Sequence, residues 1–451
     1  HHALTTGSLQ TLGPKLTLLD FSDSSDSGCS INVLEEMEIY TLNGIQNIPN
    51  LASMLIDPEG KGLGDHWNKA AFAFFSGVIL HCCIMVPHRE QRPAALHDLV
   101  LMLADETRTT EELLQEMLET DHAAILKEIY PHGQGGDEAH IFIASSAREM
   151  LNKDVKEASG VLSTALVNLA IYRDPIVALN TAKSDFRIND LMNHDKPVNL
   201  YLCVSPADVD RLKPVLRLVV DIIVRRVTKK MEFRDGASVK AYKHRLLFML
   251  DEFTALGKMP IIERAIAFIA SYGGKMYIIV QDVTQLNAVY GKDNAIMANC
   301  NVRIAYAPNT IETAKLLSEM TGKTTVLNTK TSLSGSRVGS MKNASLSVNE
   351  TARPLLTPDE CMRLPSAKKD ARNRVIAPGH MLIFTSGKPP IYGVQILYFR
   401  DPVFMARAKI PTPGIRARFP SGITDSIYHP RPADWYSAKY SSSNLPPVAQ
   451  K

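Results

Sequence analysis

Apolar positions along the chain fall into two regimes. From about Thr41 to Asp190 they recur at helical spacing, as in Thr110 to Tyr130 (TEELLQEMLETDHAAILKEIY) and Ala144 to Ile171, with almost no alternating strand pattern between them. This stretch reads as an all-helical domain. After Lys196 short apolar runs alternate with helical segments. They are Val198 to Val204 (VNLYLCV), a helix from about Ala207 to Met231, Leu246 to Leu250 (LLFML), a helix near Pro260 to Tyr272, and strands at Met276 to Val280 and Val302 to Ala307. Short apolar strands separated by helices predict a parallel sheet covered on both faces. A further strand-like run, Leu16 to Phe21, lies before the helical stretch and leads into a Ser/Asp/Gly-rich turn from Ser22 to Ser30. The sheet domain is therefore predicted to be interrupted by the helical one.

The domain boundaries expected are 1–40 with 195–410 for the sheet domain, 41–190 for the all-α domain and 411–451 for a Pro-rich tail. Asn328 to Glu350, rich in Ser, Thr, Gly and Asn, reads as a long mobile loop. The longest apolar stretch, Ala70 to Val86, has 17 residues, the lower limit for a membrane span. Ser76, Gly77 and His81 fall inside it and polar residues lead straight into it, so it is read as a buried helix.

Charge changes the picture little. Lys and Arg number 50 against 47 Asp and Glu, with 45% hydrophobic residues, so the chain is an ordinary globular protein and not a uniformly basic nucleic-acid coat. The six cysteines form no CxxC pair, which argues for a reduced setting and against a zinc site. Trp67 is expected in the core and the lone histidines in structural roles. The chain opens on His1 and His2 without a start Met, and is read as a piece of a longer protein.

The sharpest local signal is LLFMLDEF, Leu246 to Phe253, an apolar strand delivering Asp251 and Glu252 at its carboxyl end. A Walker B element needs this pattern, one acid helping to hold Mg²⁺ and the next polarising an attacking water. The following strand ends at Gln281 and Asp282. Successive parallel strands open on the same crevice, so Gln281 is expected near the two acids, where its amide can sense the terminal phosphate or the water. The alternative for each is a plain strand end with its cap. No G-x-x-x-x-G-K-[ST] loop is present. Gly322-Lys323-Thr324 has Leu317 where the first glycine belongs and follows a helical segment, so it is read as a decoy. The helix from Ala207 carries Arg211, Lys213, Arg217, Arg225, Arg226, Lys229 and Lys230. Such a face can track a nucleic-acid backbone or simply be the solvated side of an amphipathic helix.

Taken in order, these residues resemble TraG-like type IV secretion coupling proteins, the ring-forming ATPases of bacterial conjugation. The likeness runs through LTTGSLQTLG (Leu4 to Gly13), GLGDHWNKAA (Gly62 to Ala71), Val161 to Phe186, Phe248 to Gly273, Ile278 to Gly291 and RPLLTPDECMRLP (Arg353 to Pro365). It implies an α/β fold, a RecA-like P-loop-type nucleotide-binding domain with a mainly parallel sheet, interrupted by an all-α domain. It also implies ATP and Mg²⁺ as cofactors, with Asp251 the metal-associated acid, Glu252 the catalytic acid that activates water, and Gln281 the glutamine of the next motif. The P-loop and membrane helices of the family would lie upstream, making this the cytoplasmic portion of an inner-membrane protein. The implied partners are single-stranded DNA, relaxase and relaxosome proteins, secretion-channel components and further copies in a hexameric ring. Where some cousins carry an arginine finger this chain has Ala270, so a trans-acting arginine, if one is used, is another residue, with Arg264 one candidate. Two other readings stay open: a non-catalytic docking module, and an intracellular ring translocase of duplex DNA.

Overall fold

The computed structural model describes residues 15–22, 28–60, 62–229, 232–234, 237–239, 242–334 and 343–409. The readings at Leu4 to Gly13 and beyond 410 lie outside the described residues. The chain divides into two compact units. The first holds the described residues up to Phe248, Ala255–Tyr277 and those from Ala406 on; the second is Met249–Thr254 with Ile278–Met405.

In the first unit, β1 (Lys15–Asp20) is followed, among the described residues up to Asn193, by helical elements only: α1 (Leu42–Ile56), α2 (His66–Glu90), α3 (Leu96–Leu103), α4 (Thr110–Glu119), α5 (His122–Ile129), α6 (Gly136–Leu151), α7 (Val155–Asn168), α8 (Pro175–Thr181) and α9 (Asp190–Asn193), with short 3-10 turns at Val33–Glu36 and Ala170–Arg173. The chain then returns as β2 (Val198–Cys203), parallel to β1 from Lys15 opposite Val198 to Asp20 opposite Cys203. Local chemistry sets the helix starts. Thr41, Asp65, Thr109, Asp121 and Asp154 each accept a backbone N–H of the first turn, which would otherwise lack a partner.

Helix α2 is apolar on all sides, which suits only a helix enclosed by others. Phe75, Val78, Ile79, Leu80 and Ile84 are completely buried, and α1, α6 and α7 pack around them. By length and composition alone α2 is long and apolar enough to cross a membrane, yet its apolar stretch is mostly buried in this unit. At the crossing with α6 a Cβ on Gly77 would lie 2.4 Å from Ser146 Cβ, so only glycine permits the approach. Trp67, expected in the core, is 44% exposed at the start of α2 and lies against Gly160.

Helix α10 (Val209–Val227) follows β2, and β3 (Glu232–Arg234) and β4 (Ala237–Val239) form a short antiparallel hairpin. The described cations of α10 and its end are engaged within the fold. Arg211 meets Asp174 and Asp208, Lys213 meets Asp210, Arg225 meets Asp221, and Arg217 Nη1 donates to the Leu256 carbonyl at 2.7 Å. Arg226 and Lys229 reach the two oxygens of Glu38 at 2.6 and 2.7 Å. Burial alone would raise the Glu38 carboxyl, but the hydrogen bonds and charges of Arg226 and Lys229 outweigh it and bring its pKa down to about 2. Nearby, Arg187 bonds Glu35 at 2.7 Å with both side chains buried. Arg211, Arg217, Arg226 and Lys229 thus fasten α10 and its end to Asp174, Leu256 and Glu38 of the same unit, while Lys213 and Arg225 pair with acids of the helix itself.

Strand β5 (Leu246–Leu250), the short helix α11 (Pro260–Ala265) and β6 (Gly274–Ile278) come next. The helix expected over Pro260 to Tyr272 breaks after Ala265 and resumes as a 3-10 turn at Ile269–Tyr272. β5 and β6 run in the same direction, since the Leu246 N–H donates to Gly273 at one end and the Ile279 N–H to Leu250 at the other.

The second unit continues through α12 (Val283–Tyr290), α13 (Ile296–Asn299), β7 (Val302–Ala305) and α14 (Ile311–Thr321), then β8 (Lys323–Ser334), β9 (Asn343–Pro354), α15 (Pro358–Met362), β10 (Lys368–Lys369), β11 (Val375–Ala377), β12 (His380–Thr385), β13 (Ile391–Val394) and the first residues of α16 (Pro402–Ala408). The strand read at Val302 to Ala307 exists, but β7 joins a three-stranded antiparallel sheet in the order β13-β12-β7. Leu382 and Phe384 of β12 pack on Ala314 and Leu317 of α14 and on Cys361 of α15.

Two expectations are corrected here. Of the loop read at Asn328 to Glu350, the described residues 328–334 and 343–350 lie instead in two strands: β8 and β9 pair antiparallel from Lys323 opposite Pro354 to Ser334 opposite Asn343. The strands are also not covered on both faces by the described residues: Leu247 and Met249 of β5, Tyr277 of β6 and Val302 and Ile304 of β7 are exposed. Their apolar runs read as buried because both alternating sets of side chains are apolar, whereas the described helices cover one set.

Candidate functional site

The site lies in the second unit, at the carboxyl ends of β5 and β6. β5 ends at Leu250, and Asp251 and Glu252 follow, both exposed. Asp251 Oδ1 accepts the Glu252 N–H at 3.2 Å. Glu252 sits at φ 49°, a left-handed conformation that costs a side-chain-bearing residue about 1 kcal/mol or more and persists only where neighbours enforce it.

The Ile279 N–H donates to Leu250 at 3.0 Å and the Phe253 N–H donates to Ile279 at 3.1 Å, so the backbone is pinned on both sides of the acids. Phe253 is fully buried and stacks on Tyr290 at the end of α12, with ring centroids 5.3 Å apart and planes 14° from parallel. The reversal at Glu252 lets one residue turn its carboxylate outward while the next turns an aromatic ring inward.

Gln281 leaves the end of β6 and its Nε2 donates to Glu252 Oε1 at 2.8 Å. All three residues singled out from the sequence, Asp251, Glu252 and Gln281, thus stand together on two adjacent strand ends. What the sequence reading missed is the fixing of Glu252 by the left-handed turn and by the Phe253–Tyr290 stack. No glycine marks the turn, so it left no signal. The Asp282 side chain, next to Gln281, accepts the Thr284 N–H at 2.8 Å and caps α12.

The chemistry of the donor set can be tested against Mg²⁺ and nucleotide. Among the described residues no cluster of three His, Cys, Asp or Glu side chains would hold a metal by itself. Mg²⁺ that is bound through nucleotide phosphates needs only one or two carboxylates, and the exposed Asp251 carboxylate fits that need. Gly322-Lys323-Thr324 does not supply a phosphate loop: Gly322, at φ 84°, ends α14, and Lys323 opens β8. A P-loop runs from strand to helix, the reverse of this order. Arg264, in the first unit, is exposed at the end of α11, and Ala270 lies on the 3-10 turn.

In the helical part His81 Nδ1 lies 2.8 Å from His122 Nε2, and His122 Nδ1 lies 3.2 Å from His140 Nδ1, while His81 Nε2 meets Glu116 at 3.1 Å. Burial, with the neighbouring His81 and His140 adding to it, lowers the His122 pKa to about 3, so the His122 ring is neutral at neutral pH.

Comparison with known proteins agrees with this architecture. The family model described as Type IV secretory system Conjugative DNA transfer matches residues 1–419. Conjugal transfer protein TraG of Escherichia coli is 44% identical over 420 residues, covering 92% of this chain and 64% of that protein. Protein VirD4 of Agrobacterium fabrum is 27% identical over 354 residues, covering 78% of this chain and 46% of its own length. The chain therefore spans less than two thirds of these relatives. Among solved structures, the bacterial conjugative coupling protein TrwBdeltaN70 superposes with a TM-score of 0.55 at 14% identity, over 88% of this chain and 83% of that one. TrwB in complex with ADP and Mg²⁺ gives a TM-score of 0.53 at 14% identity, over 89% and 86%. The likeness to these structures shows that the chain shares the α/β fold of TrwB.

Proposed function

The chain belongs to the Type IV secretory system Conjugative DNA transfer family, and from that premise we propose that it is part of an ATP-driven coupling protein. In this reading the protein recruits single-stranded DNA with its attached relaxase and moves it to a type IV secretion channel. It works as a hexameric ring at the inner membrane, with 41–190 as an inserted all-α domain and the present chain on the cytoplasmic side. No G-x-x-x-x-G-K-[ST] segment occurs in these 451 residues, so in this reading turnover needs a phosphate-wrapping loop besides the residues named here.

The observation that carries the reading is the contact of Gln281 with Glu252 beside Asp251. Because Gln281 Nε2 occupies Oε1 of Glu252, the other carboxylate oxygen is left to accept the proton of an attacking water, the role of a general base in phosphoryl transfer. Asp251, one residue earlier on the same strand end, is the residue that would hold Mg²⁺, directly or through water; the ion bound with ATP supplies neutralisation of the phosphate charge. Gln281 is then placed to report whether the terminal phosphate is still present. The nucleotide complexes of TrwB with ADPNP and with ADP and Mg²⁺ support the cofactor assignment by likeness of fold.

A mating assay tests the proposal. Cells lacking their own coupling protein receive the full-length protein carrying Glu252→Gln, and DNA transfer is expected to drop at least a hundredfold at equal protein level. Transfer at the wild-type frequency would contradict an ATP-driven role for this site.

A further inference from the structure

Asp282 is bonded far beyond what a helix cap requires. Its Oδ1 accepts the Thr284 N–H at 2.8 Å and the Thr284 hydroxyl at 2.7 Å. From α14, the Thr310 hydroxyl donates to Oδ2 at 2.9 Å and the Thr313 hydroxyl reaches both oxygens at 3.1 Å. Thr313 is 9% exposed, so the clamp is closed on that side. No Lys, Arg or His pairs with this carboxylate among the described residues; hydroxyls and one backbone N–H satisfy it. Burial acts to raise its pKa, but the Thr284, Thr310 and Thr313 bonds outweigh burial and hold it below the ordinary carboxylate range.

Both flanks of the clamp lead to Glu252. One residue before it, Gln281 bonds Glu252. Eight residues after it, at the far end of α12, Tyr290 stacks on Phe253, the neighbour of Glu252. A displacement of the start of α12 would therefore move the Gln281 amide against a carboxylate that the backbone holds still. We propose that Asp282 is a positioning residue: through the hydroxyls of Thr284, Thr310 and Thr313 it fixes the entry of α12 and keeps the Gln281 amide on Glu252. This rests on the ATPase reading of the site.

A cap and a clamp separate experimentally, because serine caps a helix as well as aspartate but is too short to accept from α14. In the active full-length protein, Asp282→Ser is expected to lower kcat about tenfold, a cost typical of a misplaced catalytic group. ATP affinity should stay within twofold and Tm unchanged, with Asp282→Asn recovering part of the rate. Thr310→Val, which removes one hydroxyl, should lower kcat by about threefold. Glu252→Gln in the same assay is the control. If Glu252→Gln loses turnover and Asp282→Ser does not, the clamp is only a cap and the proposal is overturned. If Asp282→Ser loses kcat, ATP affinity and Tm together, its role is structural and the proposal is equally overturned. If Glu252→Gln itself keeps wild-type turnover, the ATPase reading fails and the positioning role falls with it.

Discussion

Gln281 donates its side-chain amide to Glu252 across 2.8 Å although 29 residues separate them in the chain. The contact exists because β5 and β6 run side by side in the same direction and end at the same level. An amide hydrogen-bonded to one carboxylate oxygen leaves the residue oriented and its other oxygen free to accept, which is how a general base is prepared.

The decoy reading of Gly322-Lys323-Thr324 predicts that Lys323→Ala leaves nucleotide affinity of the full-length protein within about twofold, since Lys323 opens a hairpin strand after a helix end. Fluorescent-nucleotide titration checks this, and a loss of ten times or more would place Lys323 at the phosphates.

Arg187 is buried between Glu35, at 2.7 Å, and Glu36, at 3.7 Å. Removing the guanidinium strands two carboxylates away from water, so Arg187→Met is expected to destabilise the first unit by about 3–5 kcal/mol. Chemical denaturation measures it, and a change below about 1 kcal/mol would show that Glu35 and Glu36 find other partners.

The buried His122 makes the helical part sensitive to mild acid. Its pKa is lowered to about 3 in the folded chain from an ordinary 6.5. The unfolded chain therefore binds a proton below 6.5 that the folded chain refuses, and stability is lost as pH falls from 6.5 towards 3. Glu38 and Glu116, both held at about 2 against an ordinary 4.5, add their loss only below 4.5. Tm is expected to fall between pH 7 and 5, before those carboxylates contribute, and His122→Gln should flatten that slope. A pH-independent Tm across this window would contradict the neutral buried state.

Much of the fold and site was legible where chemistry is local. The helical spacing from Thr41 to Asp190 and the apolar run of α2 announced themselves, and the nearness of Gln281 to Glu252 followed from an acid and an amide placed at the carboxyl ends of successive apolar strands. The β8–β9 hairpin was hidden because its Ser, Thr and Asn residues resemble a loop, and only the backbone ladder from Lys323 to Pro354 makes it a sheet. The antiparallel setting of β7 was hidden because its partner β12 lies about eighty residues downstream, with Leu382 opposite Ala305. Likewise Arg211, Arg226 and Lys229 looked free since their partners, Asp174 and Glu38, are remote in sequence. Periodicity reports which residues are buried, not which distant residue answers a charge.

The central claim, that Glu252 activates water while Asp251 supports the metal, is tested most directly by measuring nucleotide affinity and turnover together for Glu252→Gln and Asp251→Ala in the full-length protein. Glutamine keeps the shape of Glu252 and cannot take a proton, so ATP should bind normally while turnover drops by about two orders of magnitude or more. Asp251→Ala should weaken Mg²⁺-dependent nucleotide binding as well as turnover. Near wild-type turnover for Glu252→Gln would contradict the account.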